Sequence, residues 1–261
     1  KPALEIYRRS GWFRKGARGI KQWCISMEAD GRWEVSVRPV FFWRLWQKKF
    51  GFAAVHFNYR LMPEHPFPAG MDDCYSFYLG LLEKGWRAQN LALAGESAGA
   101  NLALALLLRL KEEELPMPAA AVLMSPITFM DTMEGSHTEM VDFDYILAED
   151  SFIISDVAEL YAPGRDKTHP WLSPLYGDLL GLPPMQLYVG TDELLFDDAI
   201  RFYRKSRRAG KPGGTDSGGP YAAFLADFYR GFSGSGGSGI EDGGFPQAVS
   251  AGGGTKADVG L

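Results

Sequence analysis

The apolar positions in the middle of this chain fall into short blocks separated by helix-length stretches. Blocks at 52–59, 91–94, 119–124 and 185–190 are nearly uninterrupted apolar runs bounded by Gly, Pro or polar residues. That is the pattern of strands buried on both faces of a parallel sheet. Between them, 72–86 and 101–110 read as helices. Residues 194–209 read as an amphipathic helix closing in Arg207 and Arg208, which suit the negative end of a helix dipole. Pro63, Pro66 and Pro68 impose an extended, turn-rich connection after the first block. Strands alternating with helices predict an α/β fold, a mostly parallel sheet with helices on both faces. Residues 126–170 break the rhythm with mixed polar and aromatic content and a helix near 155–161. They are expected to form a lid over the strand ends, where ligands bind in open α/β sheets.

Composition changes this picture mainly at the ends. With 261 residues, 46% of them hydrophobic, the chain can bury a full core as one catalytic domain. Residues 1–50 hold twelve basic against four acidic side chains, although the whole chain carries −5. Five of the seven tryptophans lie within the first 46 residues, and about half of the 31 glycines lie in the last fifth. These shifts divide the chain into an atypical region 1–49, a core 50–211 and a Gly-rich, linker-like region 212–261. The basic residues follow no regular face and accompany no binding motif, so neither a nucleic acid nor a membrane partner is expected. Cys24 and Cys74 have neither the number nor the spacing of a disulfide framework or a zinc site. No run of eighteen apolar residues and no signal-like segment is found, and a cytoplasmic protein is the expectation.

The candidate chemistry lies in Gly95-Glu96-Ser97-Ala98-Gly99, between an apolar block and a run of helix formers. In that context the pentapeptide is a nucleophile elbow, with Ser97 at a strained turn and glycines where any side chain would collide with strand or helix. The helix behind it aims free N–H groups and its positive dipole end at the serine, where an oxyanion forms during acyl transfer. Ala98 N–H is the recognisable oxyanion donor.

Asn58-Tyr59-Arg60-Leu61-Met62-Pro63-Glu64-His65-Pro66-Phe67-Pro68-Ala69, then the elbow, then Gly181-Leu182-Pro183-Pro184 and Gly190-Thr191-Asp192, resemble the hormone-sensitive-lipase-like branch of the α/β-hydrolases. The resemblance covers about 50–211. It implies an α/β-hydrolase fold with a cap, and a serine esterase acting on small-molecule carboxylic esters of modest size without metal or organic cofactor. It also implies that Asp192 is the triad acid, accepting the histidine's Nδ1–H. The plainer role for Asp192 is to cap the helix that follows. Glu193, Asp197 and Asp198 read as first-turn charges suited to the helix dipole.

Two expected parts are missing. No His-Gly-Gly-Gly segment, the branch's second oxyanion element, occurs between Lys1 and Lys49, and His56, His65, His137 and His169 all precede Asp192. Arg230-Gly231-Phe232 stands near where a His-Gly-Phe belongs, and arginine cannot act as a base. The base is therefore not identifiable, and activity as written is expected to be impaired. Both gaps coincide with the stretches of anomalous composition, which points to altered sequence grafted onto an intact middle. A pocket that kept its shape and lost its base would make a receptor-like binding protein, the alternative to an esterase. Without a recognisable strand after Lys211, the sheet's last edge is expected to be open to homodimerisation.

Overall fold

The structure is a computed structural model and describes residues 23–27, 53–144, 147, 154–209 and 221–225. Its frame is a six-stranded sheet built from β1 (Trp23–Met27), β2 (Ala53–His56), β3 (Leu91–Glu96), β4 (Ala120–Met124), β5 (Met185–Val189) and β6 (Tyr221–Leu225). The strand order is β2-β1-β3-β4-β5-β6 and every neighbouring pair is parallel. All strands therefore end on one edge of the sheet. The register sets Glu96 beside Met124 and Met124 beside Tyr188, so the residues just after β3, β4 and β5 are neighbours in space.

Two strands fall in the stretches that composition set apart. β1, from the region 1–49, lies between β2 and β3 in the interior of the sheet. β6, from the region 212–261, pairs with β5 along five residues. The sheet thus runs across both composition boundaries, near 49 and near 211. The edge beside β5 is taken by β6, so β6 is the end strand of the sheet on that side. Arg230-Gly231-Phe232 and the Gly-rich tail lie outside the described residues.

The described residues include four helices of two turns or more, α1 (Ala69–Glu83), α2 (Ala98–Glu112), α4 (Ile154–Tyr161) and α5 (Phe196–Ala209); α3 (Ser136–Glu139) is a single turn. The elbow helix α2 is buried almost all round, with Leu102, Leu104, Leu106, Leu107 and Leu110 inside. That follows from a helix that lies against β1, β3 and β4 and is covered outside by α1. Its ends agree with its sequence, since Arg109 and Lys111 occupy the last turn, near the negative dipole end. The proline-rich block is fastened to α1 by Arg60. Its guanidinium grips Asp73 with Nε and Nη2 both at 2.9 Å, and its backbone N–H donates to the same carboxylate at 2.9 Å. This bidentate geometry explains why an arginine stands in that block.

The insertion expected at 126–170 is sewn down at both roots. Asn101, on the second turn of α2, donates its side-chain N–H groups to Ile127 O and Leu172 O, each at 2.9 Å. Leu175 N–H donates to Thr128 O, and Met130 N–H to Ser173 Oγ. Helix α4 lies back on the proline-rich block, where Phe67 N–H donates to Tyr161 O and the two rings meet edge to face.

Candidate active site

Ser97 closes β3 and caps α2 with φ 52° and ψ −118°, a conformation that non-glycine residues occupy only under constraint. The constraint is visible on both sides. Ser97 N–H donates to Met124 O at 2.9 Å, tying the turn to the next strand, and Ser97 O accepts Asn101 N–H, starting the helix. A Cβ on Gly95 would lie 2.4 Å from Gly99 O, so strand and helix approach too closely there for any side chain. Ser97 and Ala98 are partly exposed, while Gly99 and Ala100 are buried. The serine thus stands at the sheet's C-terminal edge, with the Ala98 N–H free of any intrahelical partner because it opens the helix. Glu96, half-buried, precedes it.

The turn after β5 carries the candidate acids. Asp192 is exposed, and its carboxylate accepts from the Thr191 hydroxyl beside it at 3.1 Å. Glu193 is half-buried and turns inward. Its Oε1 accepts Gly190 N–H at 2.7 Å, and the Ser125 hydroxyl also bonds it. Burial pushes the Glu193 carboxyl above the usual range, the two hydrogen bonds oppose this, and the nearby charges of Asp144 and Glu96 add to the rise. Ser125 follows β4, which lies between β3, leading to Ser97, and β5, leading to the turn of Glu193, and it too has positive φ, 42°. A shifted carboxyl beside a strained serine, one strand from the elbow, is a combination that marks functional sites. In the sequence Glu193 reads as a helix-dipole charge; its place next to the family position, before the apolar pair Leu194-Leu195, is the signal of an inward turn.

No imidazole is hydrogen-bonded to Ser97 among the described residues. His65 is exposed, and His169, also exposed, accepts Trp171 N–H on Nδ1 at 3.1 Å. His137 is fully buried, with Nε2 2.5 Å from Asp198 Oδ2 and its ring stacked on Phe129 at 4.7 Å. The His56 side chain lies outside the described residues. No cluster of three or more His, Cys, Asp or Glu suited to hold a metal occurs among the described residues, and Cys74 is a buried free thiol.

An apolar cluster borders the elbow: Ile127, Met130, Ala158 and Leu195, with Ala98, Met133, Leu147 and Tyr161 packed against it. The insertion, the start of α5 and Ala98 therefore share one apolar wall. No helix among the described residues is long and apolar enough to cross a membrane.

Comparison with known proteins agrees with this geometry. Residues 41–216 match the family described as alpha/beta hydrolase fold. The chain is 41% identical over 162 residues to an acetyl-hydrolase of Streptomyces hygroscopicus, covering 62% of this chain and 54% of that protein. It is 37% identical over 161 residues to an esterase of Acinetobacter venetianus strain RAG-1, covering 59% and 51%. The chain spans about half the length of these two relatives. Among solved structures, a hormone-sensitive-lipase homologue from a metagenome library, EstE7, aligns with a TM-score of 0.67 and 32% identity over 78% of this chain and 67% of that one. A structure of EstE5 soaked with ethyl alcohol aligns with a TM-score of 0.69 and 31% identity, over 78% and 66%. The strained serine between β3 and α2, the parallel sheet and the matched residues lead to one assignment: this chain belongs to the α/β-hydrolase family, in its hormone-sensitive-lipase-like branch.

Proposed function

We propose that the protein is a serine carboxylic-ester hydrolase working through an acyl-enzyme. The observation that carries this reading is the conformation of Ser97, held at positive φ on the sheet edge with a helix N-terminus behind it. Ser97 Oγ attacks the ester carbonyl carbon, and its proton passes by way of solvent water to the alcohol that leaves. The carbonyl oxygen becomes an oxyanion that accepts the Ala98 N–H, and the alcohol leaves with a proton. Water then cleaves the acyl-serine by the same steps. The acid comes from the turn 190–193, where Asp192 stands at the family position and Glu193 has the inward placement and hydrogen bonds of a positioned carboxylate. The apolar wall beside Ala98 supports small ester substrates. A metal or organic cofactor has no role in these steps, and the cytoplasm is the compartment that two cysteines without a disulfide framework support.

Loss of a triad histidine lowers turnover by on the order of 10⁶, and loss of one oxyanion donor by about 10²–10³. Hydrolysis of an activated ester by this chain is therefore slow, and replacement of Ser97 by Ala removes it. A chain whose activated-ester hydrolysis is the same with and without the Ser97 hydroxyl would refute the enzyme reading. That no imidazole among the described residues is hydrogen-bonded to Ser97 favours a second reading, a hydrolase fold retained as a small-molecule binding protein. Saturable binding of a small ester, unaltered in the Ser97→Ala variant and with no serine-dependent cleavage, is the outcome that selects it.

A further inference from the structure

The turn that carries the candidate acids is gripped by the first part of the insertion through side chains rather than by the sheet alone. Leu194 N–H donates to Asp144 Oδ2 at 2.9 Å, and the Ser136 hydroxyl donates to Leu194 O at 2.7 Å while accepting Asp197 N–H at 2.9 Å. Ser136 N–H returns a bond to Asp197 Oδ2 at 2.9 Å. The approach is so close that a Cβ on Gly135, already at φ 58°, would lie 2.1 Å from that same oxygen.

The next residue completes the grip. Asp198 and His137 are fully buried, and Asp198 Oδ1 accepts Thr128 N–H at 2.6 Å and Phe129 N–H at 3.2 Å. Its other oxygen faces His137 Nε2. His137 Nδ1 is buried and has no hydrogen-bond partner among the described residues. A carboxylate oxygen at hydrogen-bond distance makes Nε2–H the natural donor of this pair. Burial holds the Asp198 carboxyl above the usual carboxylate range, and the imidazole and the Thr128 and Phe129 N–H groups only partly oppose this. Without His137, Oδ2 would be a buried acceptor lacking this donor, and the start of α5 would lose its tie to the insertion.

We infer that His137 is a positioning residue: through Asp198 it fixes the start of α5, and with it the turn 190–195 from which Glu193 reaches the site. The insertion is then a brace for the acid rather than only a lid. This role rests on the ester-hydrolase reading, because a turn without a catalytic carboxylate needs no such alignment.

The test is amide hydrogen exchange in the full chain, followed at Gly190, whose N–H donates to Glu193, and at Leu194, whose N–H donates to Asp144. The variant His137→Phe keeps an aromatic ring against Phe129 and removes the donor. It is expected to speed exchange at both amides by roughly tenfold or more, with Leu93 and Leu123 in the sheet unchanged. The variant His137→Gln, which restores an N–H near the Nε2 position, is expected to recover slow exchange. Wild-type exchange in His137→Phe overturns the inference, and so does an increase shared equally by Leu93 and Leu123, which marks general loosening. The exchange measurement involves no ester, so it fails or succeeds separately from catalysis. Ester cleavage independent of Ser97 in the unaltered chain would instead overturn the hydrolase reading and, with it, the catalytic purpose of the brace.

Discussion

At the scale of single residues, Glu193 and Asp192 make opposite predictions. Glu193→Gln keeps an oxygen for Gly190 N–H but removes the charge, and it is expected to lower Ser97-dependent ester cleavage at least tenfold. Asp192→Asn, on an exposed side chain, is expected to change it by less than about twofold. The reverse ranking would return the acid to Asp192. Stability gives a second check that needs no turnover. The folded-state pKa of Glu193 is raised, chiefly by burial, so the folded chain binds more protons than the unfolded one above the ordinary Glu range, about 4.3. Its contribution to stability is therefore present at acid pH and declines as pH rises through the raised value. Urea unfolding of wild type and Glu193→Gln across this range should show the wild type losing ground as pH rises; a difference independent of pH would contradict the burial. Ser97 was legible in the sequence because its constraint is local, glycines two residues to either side of a strand-to-helix turn. Glu193 was not, since in Asp192-Glu193-Leu194-Leu195-Phe196-Asp197-Asp198 four acids precede or open one helix, and only tertiary packing decides which turn inward.

At the scale of elements, the connection between α2 and the insertion is the most consequential contact. Asn101 bonds two backbone carbonyls 45 residues apart in the chain, Ile127 O and Leu172 O, and is itself 1% exposed. Replacing it by Ala leaves both carbonyls buried without this donor, at a cost of about 1–3 kcal/mol. The measurement is a lowered urea midpoint with an unchanged denaturant slope; an unchanged midpoint would show that other donors take its place. The sequence marked 101–110 as a helix and 126–170 as an insertion without indicating that one polar side chain joins them. Strand and helix identities were readable because their apolar periods are properties of the local chain. The insertion's anchoring was not, because Ser136, His137 and Asp144 are ordinary polar residues until the fold sets them beside 194–198.

At the scale of the whole molecule, the parallel α/β architecture was legible from alternation, while the places of β1 and β6 were obscured by the basic, tryptophan-rich and glycine-rich compositions around them. Pairing decides where such segments belong: β1 has a partner on each side, β2 and β3, and its register is fixed by both. β6 has one partner among the described strands, β5, so its other side offers backbone donors and acceptors to water, to other parts of the chain or to a second chain. An end strand of only five residues limits that template, but its Tyr-Ala-Ala-Phe-Leu sequence contains no Lys, Asp, Glu or Pro to discourage pairing. Association through β6 is therefore expected to be weak and concentration-dependent. Sedimentation equilibrium over a wide concentration range should reveal a monomer–dimer equilibrium, and Ala222→Lys, which introduces a charge into the edge, should shift it toward monomer. A single monomeric species at every concentration would mean that the edge is already covered within the chain.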